Sequence, residues 1–120
     1  PEPRPIIASP ESATGFASVW MPDGAQAGTV LILAPQNCPS DAAKRAGDLA
    51  TRLTELGIPN RVSARARLSF REITEEEFAA VKRTQLILEG EIPAVFVNGM
   101  GKSDPTVDEV MREYRRTAGG

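Results

Sequence analysis

Between residues 29 and 57 the hydrophobic pattern changes period once, and that change restricts the fold more than any other feature of the chain. Thr29 to Leu33 is an unbroken β-branched and aliphatic run stopped by Pro35, the pattern of a strand buried on both faces. From Pro39 onward Ala42, Ala43, Ala46, Leu49, Ala50, Leu53 and Leu56 recur at steps of three and four, which places them on one stripe of a helix that Gly57 ends. Lys44, Arg45, Asp48, Arg52 and Glu55 fall on the wet side of that helix. A strand buried from both sides needs a cover on each face, so a layered α/β domain is expected.

Other segments extend the same alternation. Phe16 to Met21 reads as a short strand closed by the turn Pro22-Asp23-Gly24. Val62, Ala64, Ala66 and Leu68 alternate with Arg61, Ser63, Arg65 and Arg67, a period of two that predicts a half-buried strand at or near a sheet edge. Thr74-Glu75-Glu76-Glu77 is a capping box, and Ile73 with Phe78 has the spacing of a hydrophobic staple, so a helix starts there and stops at Gly90. Ile92 to Val97 is a buried strand entered through Pro93 and left through the turn Asn98-Gly99, with a short hairpin partner in Met100 to Ser103. Asp104-Pro105 offers a cap and a first-turn proline for a last helix buried through Val107, Val110, Met111 and Tyr114. Residues 1–14, rich in proline and small polar side chains, read as an extended leader, and residues 15–118 as one domain with a mixed sheet of four or five strands.

Composition removes several function classes. The chain has 120 residues, enough for one core, with 14 basic and 16 acidic side chains and a formal charge of -2, so no bulk positive field exists for nucleic acid. Histidine is absent, which removes imidazole ligands and every histidine-based catalytic triad. Cys38 is alone and can form neither an intrachain disulfide nor a thiolate zinc site. No apolar run approaches the ~20 residues that span a bilayer. The chain starts at Pro1 rather than Met, which reads as a trimmed product; any membrane attachment would run through an upstream segment. A single cysteine fits reducing and oxidising compartments alike, so localisation stays open between a periplasmic or membrane-tethered and a cytoplasmic setting.

One constellation carries chemistry. A buried strand is followed by Pro35-Gln36-Asn37 and then by Cys38-Pro39-Ser40-Asp41 at the head of a long helix. A sulfur there sits beside unpaired helical N–H groups and the positive end of the helix dipole, which stabilise a thiolate. Further along, the Ile92–Pro93 bond precedes a strand, and the cis isomer of such a bond costs only ~0.5–1 kcal/mol.

On these pieces, with Gly57-Ile58-Pro59, the Ile92 to Gly99 segment and Asp108-Glu109, the chain resembles the thioredoxin-fold superfamily and most of all a glutaredoxin-like domain. The resemblance implies a thioredoxin-like sheet and gives Cys38 of a C-P-x-C motif the role of attacking disulfides. It implies that Pro39, the cis-proline Pro93 and the backbone of Ile92 help to hold a bound peptide or glutathione. Gly101, Ser103 and Asp104 correspond to the turn that receives a glutathione carboxylate.

The motif is degenerate, because Asp41 stands where the resolving cysteine would be, and only a monothiol route through an external thiol such as glutathione remains. A carboxylate one turn from the sulfur also works against the helix dipole. Two functions follow from this: a binding or structural module with a client protein as partner, and, as the alternative, a monothiol thiol–disulfide oxidoreductase with glutathione. The first is favoured, since no base compensates for the missing thiol. Arg61, Arg65, Arg67 and Arg71 form a basic stripe that most simply guards a sheet edge and otherwise meets an acidic partner. Gly99-Met100-Gly101-Lys102-Ser103 lacks the spacing of a phosphate loop, because position 96 is Phe.

Overall fold

A computed structural model describes residues 14–34 and 40–118. Their elements are β1 (Ala17–Ser18), β2 (Val30–Leu33), α1 (Ser40–Glu55), β3 (Asn60–Ser63), α2 (Glu75–Glu89), β4 (Ala94–Val97), β5 (Met100–Ser103) and α3 (Val107–Ala118). The strands form one mixed sheet in the order β1-β5-β4-β2-β3, in which β2 and β3 are parallel and every other neighbouring pair is antiparallel. The leader expected over residues 1–14 lies, apart from Thr14, outside the described residues.

The two central strands explain the layering. Along β2 and β4 all eight side chains are buried. Val30, Ile32, Val95 and Val97 face one way and pack with Ala46, Leu49 and Leu53 of α1 and with Val110 of α3. Leu31, Leu33, Ala94 and Phe96 face the other way, where Ile87 and Leu88 of α2 meet them. Because successive strand side chains alternate faces, such a strand must be apolar at every position, and each large side chain removed from water contributes ~1.5–3 kcal/mol. Helices therefore cover both faces.

Local signals set most of the boundaries. Thr74 caps α2 through the reciprocal capping box with Glu77, and the Gly90 N–H closes its end on the Ile87 carbonyl. Asn98 and Gly99 both take positive φ, 48° and 86°, which a two-residue hairpin turn requires, so Val97 pairs with Met100 directly across the turn. The Asn98 side chain also ties three segments together: Oδ1 accepts from the Gly28 N–H at 2.7 Å and Nδ2 donates to Thr117 Oγ1 at 2.8 Å.

Five expectations need correction. The strand expected to run to Leu68 instead spans Asn60–Ser63, because its partner among the described residues, β2, ends at Leu33. Ser63 then turns the chain by accepting from the Arg65 N–H and donating to the Arg65 carbonyl. Val62 is not a core residue: it sits on the sheet edge, 48% exposed. Ala43, placed on the apolar stripe of α1, is exposed, since it lies at the margin of the arc that the sheet covers. The staple does not bury Phe78, which stays 52% exposed beneath the Lys82 ammonium. The cap of α3 is Thr106 and not Asp104; Thr106 Oγ1 accepts from the Glu109 N–H and Glu109 Oε1 from the Thr106 N–H, a second capping box two residues downstream.

Candidate functional site

Several candidate residues converge on one end of the sheet, where β2 and β5 finish and β4 begins. Leu33, the last residue of β2, pairs with Ala94, the residue after Pro93. Ser40 opens α1. Residues 35–39 between them, Cys38 and Pro39 included, lie outside the described residues, so the separation of Cys38 from Pro93 is not part of the description. Asp41 is exposed in the first turn of α1, where a carboxylate complements the helix dipole.

The Ile92–Pro93 peptide is cis and Pro93 is buried. Around it a polar clamp is built from three elements. Arg45 of α1 donates through Nη2 to the Ile92 carbonyl at 2.7 Å, and its Nε lies 3.3 Å from Asp104 Oδ1. Asp104, held at a positive φ of 48° just beyond β5, donates its backbone N–H to the Pro93 carbonyl at 2.8 Å. A pocket of about 180 Å³ opens here, lined among others by Arg45, Leu49, Pro93, Asp104, Thr106 and Val107. Its walls are partly apolar, and its one guanidinium is already matched by a carboxylate.

Gly101 and Ser103 are not part of that pocket. Gly101 lies mid-strand opposite Phe96, and a Cβ there would come within 2.8 Å of the Phe96 ring, so close packing explains the glycine. Ser103 donates to the Glu91 carbonyl at 2.6 Å and fastens the segment leading into Ile92. The alternation of β5 turns both residues toward the α2 side, while Asp104, just past the strand, reaches the α1 side.

Behind the rim, Glu109 anchors the start of α3. Its Oε2 accepts from Lys102 Nζ at 2.8 Å, and Lys102 also donates to the Thr14 carbonyl at 2.9 Å. The Lys102 hydrogen bond holds the Glu109 carboxyl below its usual value against the opposing effect of burial, and Thr106 adds to the lowering. Glu113, fully buried one turn on, accepts from Thr14 Oγ1 at 2.6 Å and is paired with Arg116.

Sequence reasoning missed Arg45, which it placed with the solvent-facing side chains. No local signal could have found it, since its partners lie 47 and 59 positions away and only the fold joins them. Among the described residues no group of three or more Cys, Asp or Glu side chains is arranged to hold a metal ion, and no helix is long and apolar enough to cross a membrane. Comparison with protein-family models, curated proteins and solved structures finds no match to the chain.

Proposed function

We propose that the chain is a thioredoxin-like domain with a degenerate active site that serves as a binding or structural module. The fold part of this reading is supported by the order β2-α1-β3-α2-β4-β5-α3, by the parallel β2–β3 pair beside the antiparallel β4 and β5, and by the cis peptide before β4. Those are the features that a resemblance to glutaredoxins implies; β1 is an addition at the β5 edge.

The observation that carries the functional part is the position of Arg45. In the proteins this chain resembles, the backbone before the cis-proline helps to hold the bound peptide or glutathione. Here the Ile92 carbonyl already accepts from an ion-paired guanidinium. A carbonyl oxygen has two lone pairs, so a ligand using this one must either share it with the guanidinium or displace Arg45. With Asp41 in place of a resolving thiol, both halves of a disulfide-exchange site are compromised.

The competing reading, a monothiol oxidoreductase acting through Cys38 and glutathione, draws on the pocket that opens beside the cis Pro93. Rates of alkylation against pH and glutathione-dependent reduction of a mixed-disulfide substrate separate the two. The module reading expects Cys38 to titrate no lower than a free cysteine, ~8.5, and expects no turnover. A markedly lower thiol value, with turnover abolished by Cys38→Ser, would replace it with the enzyme reading.

A further inference from the structure

The sheet has two edges with no described strand beyond them, β1 and β3; β1 is two residues long, whereas β3 is four residues long and lies in a basic segment. Arg61, Arg65, Arg67 and Arg71 are all exposed, and among the described residues none of the four is in an ion pair. Four unneutralised cations within eleven residues stand out on a chain whose net charge is -2.

The backbone of this edge is also available. The Val30 N–H donates to the Pro59 carbonyl and the Ala34 N–H to the Ser63 carbonyl, each at 2.9 Å. In a parallel pair the backbone groups of successive residues point to alternate sides, so residues 59, 61 and 63 face β2 while Asn60 and Val62 present their N–H and C=O groups outward. Past the end of the strand, Ala64 and Ala66 together with Leu33, Leu88, Ile92 and Ala94 enclose an apolar pocket of about 70 Å³. Protective edges are usually short and charged, and β3 meets that description; an apolar pocket at its end and a half-exposed Val62 are not part of such protection.

We propose that β3 is a docking edge for an acidic, extended segment of a partner protein, which adds to the sheet as a strand, sets its carboxylates against Arg61, Arg65 and Arg67, and places an aliphatic side chain in the pocket behind Ala64. A polypeptide is favoured over other polyanions because only an extended backbone satisfies the outward groups of Asn60 and Val62. The inference deepens the binding-module reading and rests on it.

The test uses the full chain and a fluorescein-labelled octapeptide alternating glutamate with valine, followed by fluorescence anisotropy. The acidic peptide should bind at least about tenfold more tightly than a lysine–valine counterpart, and binding should weaken as salt rises. Arg65→Glu with Arg67→Glu should weaken it at least about fivefold, while Arg115→Glu, an exposed charge on α3, should leave it unchanged. Val62→Pro removes one outward donor and should weaken binding by a similar factor. The same peptide N-methylated at alternate residues cannot pair with the edge and should lose binding, a result that does not depend on how any variant folds. Equal binding of the acidic and basic peptides, full binding of the N-methylated peptide, or equal competition by inorganic polyphosphate would overturn the proposal. Turnover at Cys38 would refute the reading of the Pro93 site and leave these curves standing, whereas an inert thiol with no peptide binding would refute this inference alone.

Discussion

Glu109 joins the capping of α3 to the rim of the Pro93 pocket, and its charge can be removed without removing its shape. Glu109→Gln retains an acceptor at the third helical position, so the capping box with Thr106 survives. What is lost is the charge facing Lys102 and the first-turn dipole interaction. The pair is 2.8 Å apart with side chains 25% and 32% exposed, between a surface and a buried ion pair. Surface pairs contribute ~0.2–1 kcal/mol and a carboxylate in a first helical turn ~0.3–1 kcal/mol, so the variant should lose about 1 kcal/mol at neutral pH. For a domain of this size that corresponds to a melting temperature lower by roughly 4 °C.

The pH dependence has a definite sign. Folding lowers the carboxyl below its unfolded value, so the folded state binds protons less readily than the unfolded chain. The contribution is present in full above the unfolded glutamate value, ~4.3, and disappears as pH falls through the lower folded value. Urea unfolding of both proteins between pH 7 and pH 3 should therefore give a stability gap that is constant down to about pH 5 and narrows below it. A gap that stays level across the acid range, or widens there, would refute the assignment of Glu109 as an ionised partner of Lys102.

Two further substitutions test the core. Thr84 is fully buried; its hydroxyl accepts from the Trp20 N–H and donates to the Trp20 carbonyl at 2.7 Å, so Thr84→Val should cost about 1–2 kcal/mol, chiefly by taking the donor from that carbonyl, since the Trp20 N–H keeps the Ala80 carbonyl as acceptor; the loss is read from the fluorescence of the sole tryptophan during denaturation. An unchanged midpoint would mean that the β1 segment does not depend on α2 for its position. Leu53, completely enclosed between α1 and the sheet, should lose about 3 kcal/mol on Leu53→Ala with an unchanged denaturant slope, and a loss under about 1 kcal/mol would contradict the packing of that face.

The central strands and the start of α2 were legible because their signals are local and redundant. A strand buried on both faces must be apolar at every position, as β2 and β4 are, and Thr74 to Glu77 carries its whole capping chemistry within one turn. The length of β3 was not legible. Its expected continuation relied on Ala64 and Ala66, which are small enough to satisfy either environment, and its end falls where the partner strand β2 ends, at Leu33. At α3 two adjacent capping signals competed, and Thr106 prevailed because Asp104 is drawn into a left-handed turn by its bond to the Pro93 carbonyl and its pairing with Arg45. Glu113 lies three residues after Val110 on the inward stripe of α3, but a carboxylate there reads as exposed unless its partners are known, and one of them, Thr14, is 99 positions away.

The Ile92–Pro93 peptide gives these separate features a common centre. Pro93 lines the pocket on the α1 side of the sheet and Ile92 lines the apolar pocket on the α2 side, so one dipeptide forms the wall between two concavities. Its position is fixed from three directions: the Pro93 carbonyl by the Asp104 N–H, the Ile92 carbonyl by Arg45, and the preceding Glu91 carbonyl by Ser103. Each of these partners comes from a different place in the chain, α1, β5 or the turn beyond it, and all three reach the dipeptide because β2, β4 and β5 align their ends there. Rigid placement on sheet ends is what a docking surface needs, because ordering a loop on binding costs ~1–2 kcal/mol for each residue fixed. A side chain seated behind Ala64 would thus press on a wall whose other face is already held by Arg45 and its ion pair with Asp104, so the clamp on the Pro93 side would also brace the β3 side against such a ligand.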